Sequence, residues 1–190
     1  MGWGDIEGWF SAQDAQFVIG MVQGVSDAIV VEVGFYAGRS TAAIAPVSRA
    51  RNNTYYAIDN CAGSDPRDPA TQNQQKRNMQ QVFEDNMKRE GLDEYVRVRI
   101  MDSSQAASLF EDGSVAVCFL DASHVAEDVA RDIEAWWPKI RAGGVLGGHD
   151  WTWGSVSGAV RAFASANGLS IVAEGNCWKL SKPKGTANVD

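Results

Sequence analysis

The chain has 190 residues, enough for one domain of ordinary size with a real core. With 45% hydrophobic and 22% charged residues it reads as globular rather than disordered, and no apolar run approaches the length of a membrane span. A net charge of −7 argues against a surface that tracks phosphates, so neither nucleic acid nor a membrane is an expected partner.

The opening MGWGDIEGWF has acids where an export signal would carry basic residues, so a cytoplasmic location is the default expectation. The first strand is predicted at Ala28–Val33, with Glu32 inside an otherwise apolar run. Gly34 and Gly38 follow, separated by Phe35, Tyr36 and Ala37, and Arg39-Ser40 open a helix. Glycines there predict a tight turn that leaves backbone and helix N-terminus open to a ligand. The second strand, Tyr55–Asp59, ends on an acid roughly 20 residues after the turn, the interval at which a carboxylate takes the ribose hydroxyls of a bound nucleoside. Asn60 comes next. From Cys61 to Gln75 the chain is polar and turn-rich, predicting a long loop before a helix that reaches about Arg89.

A third strand over Tyr95–Met101 leads into Asp102 and Ser103, which read either as ligand contacts or, for Asp102, as the N-cap of a helix from Gln105. The fourth strand is Val115–Asp121. Val125, Val129, Ile133, Trp136, Trp137 and Ile140 then recur in steps of three and four, predicting a helix with both tryptophans on its packing face. Gly144–Gly148 is the fifth strand and delivers His149, Asp150, Trp151 and Trp153. A helix through Val156, Val160 and Ala164 is closed by Asn167-Gly168. Only Glu174-Gly175-Asn176 separates the last two strands, Leu169–Ala173 and Cys177–Leu180, which is too short for a crossover and predicts an antiparallel hairpin strand at the sheet's end.

The expected fold is therefore α/β: a Rossmann-like, doubly wound, mostly parallel seven-stranded sheet with an antiparallel C-terminal hairpin strand. One domain is expected over 1–182, with a disordered tail at 183–190. Cys61, Cys118 and Cys177 have no zinc-site spacing and read as reduced, structural thiols.

In such a sheet the ligand sits outside the carboxyl ends of the strands, where the strand order reverses. The turn lacks the middle glycine of the dinucleotide fingerprint, the one that admits a pyrophosphate, so the expected ligand is an adenosine compound without a diphosphate bridge. Glu32 to Ser40, Asp59, Met101-Asp102-Ser103, and above all Asp121-Ala122-Ser123-His124 through Pro138, Gly143-Gly144 and Gly148-His149-Asp150-Trp151 resemble the class I S-adenosylmethionine-dependent methyltransferases. The resemblance is to the small bacterial and phage-type group related to macrolide-sugar and cephalosporin O-methyltransferases. It implies that Glu32, Gly34, Phe35, Tyr36, Gly38 and Ser40 border the methionine portion of S-adenosylmethionine. It also implies that Asp59 and Asn60 meet the ribose, that Asp102 and Ser103 lie beside the adenine, and that Asp121 faces the cofactor.

For the chemistry two readings stand. Asp121 and Asp150, at the ends of neighbouring strands, with His149 beside them, would hold a hard divalent ion such as Mg²⁺ that eases deprotonation of a hydroxyl. Related enzymes carry a further acid after the fifth strand, which is absent here. Without metal, His124 or His149 becomes the base. Trp151 and Trp153 are candidates to wall an acceptor site. Nothing in the sequence supplies a long N-terminal cap, so closure is expected from the Cys61–Gln75 loop or from a second subunit in a homo-oligomer. The expected function is methyl transfer to a hydroxyl of a small, sugar-like molecule. The rivals are a catalytically inactive methyltransferase-like binding module and an NAD-dependent oxidoreductase.

Overall fold

The computed structural model describes residues 2–63 and 75–184. At its centre lies β4 (Val115–Leu120, VAVCFL), buried along its whole length. A continuous apolar run of this kind suits a parallel strand covered on both faces. Beside it runs β1 (Ile29–Val33), and outward from β1 come β2 (Thr54–Asp59) and β3 (Val96–Ile100), all parallel. On the other side β4 pairs in parallel with β5 (Ile140–Gly148). The full order is β3-β2-β1-β4-β5-β7-β6, so the sheet reverses its direction of growth between β1 and β4.

The antiparallel strand predicted at the end of the sheet is β7 (Cys177–Ser181), but it does not form the edge. It inserts between β5 and β6 (Ile171–Glu174) and is antiparallel to both. This places Asn176, in the hairpin turn, beside the carboxyl end of β5. Lys182 is likewise not free tail: its N–H donates to the Gly144 carbonyl and its carbonyl accepts from Gly143. Residues 64–74 of the predicted loop, Arg67 among them, and 185–190 of the predicted tail lie outside the described residues.

Helices cover both faces. Val18, Met21 and Val22 of α1 (Ala12–Gln23), Ile44 of α2 (Arg39–Ala50) and Phe83 and Met87 of α3 (Met79–Arg89) build the core with Val30 and Phe119. On the opposite face are α4 (Ser103–Ala107), α5 (Ala126–Trp136) and α6 (Gly154–Ala166). There Ile133, Trp136 and Val160 pack with Val31, Val33 and Cys118. Neighbouring residues of one strand thus feed opposite cores, the period-two alternation of a pleated strand. The helix predicted to run to Ile140 stops at Trp136 and passes through a 3₁₀ turn, Trp137–Lys139, because Pro138 has no N–H with which to continue it. Ile140 then starts β5, several residues earlier than predicted. No helix among the described residues is long and apolar enough to cross a membrane.

Candidate active site

A cavity of about 600 Å³ opens at the switch point, outside the carboxyl ends of β1 and β4. The turn after β1 forms one wall. Asp59, at the end of β2, lines the cavity and also shapes this turn, since its Oδ2 accepts from the N–H groups of Phe35 (2.9 Å) and Tyr36 (3.1 Å) and its Oδ1 from that of Cys61 (2.7 Å). Three of a carboxylate's roughly four acceptor positions are thereby used, leaving one for a ligand hydroxyl. Asn60 lines the cavity beside it while its own Oδ1 caps Ala62 N–H at 2.8 Å.

Packing requires both glycines. Both have φ near +90°, 87° for Gly34 and 88° for Gly38, a conformation that side-chain-bearing residues rarely adopt. A Cβ on Gly34 would collide with the carbonyl of Asp121, because here the exits of β1 and β4 lie against each other, stitched by Asp121 N–H donating to Val33 O at 2.7 Å. One on Gly38 would come within 2.6 Å of Met87 Cε on α3. Gly34 borders the cavity with its backbone, whereas Gly38 does not reach it.

Glu32 also departs from its expected role. It is fully buried and absent from the cavity wall, and its carboxylate accepts from the hydroxyls of Thr41 (2.6 Å), Tyr55 (2.9 Å) and Ser40. Burial pushes its pKa up to about 7 against the pull of those donors. Glu32 therefore ties β1, α2 and β2 together beneath the cavity, and Ser40, though on the wall, spends its hydroxyl on Glu32. Asp102 is an N-cap, its Oδ1 accepting from the N–H groups of Ser104 (3.0 Å) and Gln105 (3.3 Å), and it lines the cavity as well. Ser103 lines it beside Asp102 and accepts from Trp136 Nε1 at 3.0 Å.

The opposite wall is a cluster of acids and imidazoles. His124 Nε2 meets Asp150 Oδ2 at 2.8 Å, with the His124 ring against the indole of Trp153. Asp150 itself has the left-handed backbone φ of 57° and takes a bond from Asn176 Nδ2 at 3.2 Å on Oδ1. His149 is buried between acids: its Nδ1 lies 3.3 Å from Asp150 Oδ1 and 3.6 Å from Asp121 Oδ1, and its Nε2 lies 3.3 Å from Asp14 Oδ2. Asp14 arrives from α1, where it is also the capping-box partner of Ser11.

These contacts set the charges. Burial alone would lower the His149 pKa, but the bond to Asp150 and the charges of Asp121, Asp150 and Asp14 raise it to about 9. Burial raises Asp121 to about 6 despite His149 nearby. Asp150 is held well below the usual carboxylate range, because its bonds to His124 and His149 outweigh burial. The same bond to Asp150 raises His124, against burial. The raised pKa of His149 favours its protonated form, the form that does not accept a proton.

The expected metal ligands, Asp121, His149 and Asp150, do come together, with donor atoms within 4.8 Å of one another. They do not suit Mg²⁺, which asks for oxygen ligands and several waters. Asp150 has given Oδ2 to His124 and Oδ1 to Asn176 and His149, and the third donor is an imidazole nitrogen that faces carboxylates on both sides. Of the three, Asp121 alone has a carboxylate with no contact shorter than 3.6 Å among the described residues.

Several wall residues gave no readable signal. Arg39 donates from Nε to Phe10 O and from a terminal nitrogen to Ile6 O, both at 2.8 Å, pinning the N-terminal segment across the cavity. That segment, not a long cap, brings Glu7, Trp9 and Phe10 to the wall, with Trp9 packed on Tyr36 and Glu7 bonded to the Tyr36 hydroxyl. Trp153 lines the cavity as expected of one of the two tryptophans, while Trp151 turns away under the Arg161 guanidinium, 4.7 Å from its ring. Cys61 reaches the wall with burial pushing its thiol up to about 11, and burial raises the thiols of Cys118 and Cys177 as well, which disfavours the thiolate at all three.

A parallel sheet ending in an inserted antiparallel strand, with an adenosine-sized cavity at its switch point, defines a class I methyltransferase fold. The family described as a methyltransferase domain matches residues 31–151, well over half of the chain, which therefore belongs to that family as an S-adenosylmethionine-dependent methyltransferase. The solved structures of similar fold include a putative O-methyltransferase from Klebsiella pneumoniae (TM-score 0.70, 18% identity, 96% of this chain and 85% of that one). They also include the O-methyltransferase NovP (0.71, 14%, 90% and 80%) and an O-methyltransferase from Bacillus cereus in complex with SAH (0.67, 16%, 94% and 86%). No curated protein sequence matches the chain.

Proposed function

We propose that the protein methylates a hydroxyl of a small, sugar-like molecule, with His124 as the base and without a metal ion. The observation that carries this reading is the His124–Asp150 pair, 2.8 Å apart, on the cavity wall beside Asp121. When bound, S-adenosylmethionine supplies an electrophilic methyl group. Asp59, with its remaining acceptor position, and Asn60 suit the ribose hydroxyls. The backbone of Gly34 to Tyr36 suits the amino-acid end, and Asp102, Ser103 and the buried Asp132, which also reaches the wall, suit the adenine. Asp121 holds the acceptor hydroxyl in line, and much of the rate comes from that alignment. His124, its Nε2–H fixed on Asp150, takes the hydroxyl proton on Nδ1.

The test is release of S-adenosylhomocysteine against a panel of hydroxyl-bearing acceptors. His124→Gln is expected to lower kcat by about 10²- to 10⁴-fold, with S-adenosylhomocysteine affinity by calorimetry unchanged. Wild-type turnover should rise with pH until His124, whose pKa lies above the ordinary imidazole value, has lost its proton. Rates should be equal with Mg²⁺ and with chelator. Full turnover by the Gln variant would remove His124 from the chemistry.

A further inference from the structure

The part of the cavity left for the acceptor has a definite chemical character. Two large indoles face solvent at its wall, Trp9 at 70% exposure and Trp153 at 50%. They come from opposite sides of the switch point: Trp9 packs on Tyr36, from the turn after β1, with ring centroids 5.6 Å apart, and Trp153 packs on His124, from the loop after β4, at 4.6 Å. An exposed indole already backed by a second ring offers a flat apolar face at little entropic cost, the surface that sugar and aromatic rings stack on. Nothing else among the described residues covers these two faces.

Charge narrows the occupant further. The cavity as a whole is lined by more acids than cations: Asp59, Asp102, Asp121, Asp128, Asp132, Asp150 and Glu7, the last paired with Arg77, against Arg39, Arg131, His124 and His149. Each described cation on the same wall already has partners of its own. Arg39 is bonded to the carbonyls of Phe10 and Ile6 and lies over the Trp3 ring, 5.6 Å from its centroid. Arg131 is paired with Asp128, and His124 and His149 are paired with Asp150. A carboxylate or phosphate entering here would meet more acids than cations, which disfavours it relative to a neutral or cationic ring.

We propose that the acceptor subsite between Trp9 and Trp153 selects an uncharged or cationic ring, such as a neutral or amino sugar, and rejects acceptors bearing a carboxylate, a phosphate or a nucleotide carrier. This rests on the methyl-transfer reading and adds the charge class of the substrate. Three probes with one aglycone isolate the charge: 4-nitrophenyl β-D-glucoside, its 2-amino-2-deoxy analogue and 4-nitrophenyl β-D-glucuronide. Each is titrated by calorimetry into the full chain saturated with S-adenosylhomocysteine. The neutral and amino probes are expected to bind at least about 10-fold more tightly than the glucuronide, a ratio that shrinks as salt rises. Trp9→Ala is expected to weaken the neutral probe by about 10-fold; the exposure of Trp9 protects the fold from that change. Equal or tighter binding of the glucuronide, or no binding of any probe, overturns the proposal. The saturating titration itself reports on the earlier reading: if S-adenosylhomocysteine fails to bind, methyl transfer falls, whereas if it binds and the charge order is wrong, only the acceptor assignment falls.

Discussion

On the β1–β2 side of the cavity the acids are satisfied by their own neighbourhood, whereas on the β4–β5 side acids and imidazoles face one another across the cavity wall. Glu32 spends its carboxylate on Ser40, Thr41 and Tyr55, and Asp59 spends most of its own on three backbone N–H groups of local turns. Asp14, Asp121, His124, His149 and Asp150 instead lie against one another although they come from elements far apart in the chain. The first half is a mould, fixed by hydrogen bonds that need not change when a ligand enters. The second is a titratable assembly whose charge depends on which proton sits where, as a site that moves a proton requires.

The strongest way to break this comparison is at the seam between the halves. Gly34→Ala puts a Cβ into the Asp121 carbonyl and forces alanine to a φ of 87°. Strain and collision together should cost about 4 kcal/mol or more, and both halves should fail at once. Urea unfolding measures the first effect and calorimetry with S-adenosylhomocysteine the second. Loss of cofactor affinity at undiminished stability would mean that Gly34 clears space for the ligand after all.

A smaller effect separates the halves by pH. His149 has its folded pKa raised to about 9 from an ordinary value of 6.5, so the stability that its charge contributes is fully present below that ordinary value and disappears as pH rises through 9. By linkage the amount is on the order of 2–3 kcal/mol. His149→Gln should therefore narrow the difference between the variant and wild type from neutral to alkaline pH, in unfolding curves recorded at a series of pH values. A difference that stays constant over that window would show that His149 is neutral at pH 7. Glu32 of the β1–β2 half, which burial pushes up to about 7, is present in both proteins and cancels from the difference.

The contrast also explains what the sequence discloses. Strand and helix positions are local properties: VAVCFL is apolar on both sides because β4 is central, and the steps of three and four in α5 put Ile133 and Trp136 inward. The glycine turn and Asp59 are equally local, separated by one helix, so their meeting could be anticipated even though the reason for the glycines was packing against Asp121 and Met87. Asp14 and Asn176 stand at opposite ends of the chain from each other and reach His149 and Asp150 only because α1 crosses β4 and β7 inserts beside β5. Ser11-x-x-Asp14 is visible as a capping box, yet nothing in that pattern says that the same carboxylate faces an imidazole. Trp9 reaches the cavity through Arg39 bonding to backbone carbonyls, a contact that carries no sequence signature.

The smallest predicted effect sharpens the boundary of the mould. Asp102 reaches the cavity, but the bonds it makes are those of a cap, with Oδ1 shared by the N–H groups of Ser104 and Gln105 and by the Ser104 hydroxyl. Asp102→Ala should cost about 1 kcal/mol of stability, and Asp102→Asn, which keeps an acceptor oxygen, should restore most of it. If Asp102 belongs with Glu32 and Asp59, as an acid whose work is holding its own neighbourhood together, S-adenosylhomocysteine affinity should follow stability and recover with asparagine. Affinity that stays low in the asparagine variant while stability returns would mean that the charge itself meets the ligand. The titratable half of the site would then extend past β4 to the end of β3.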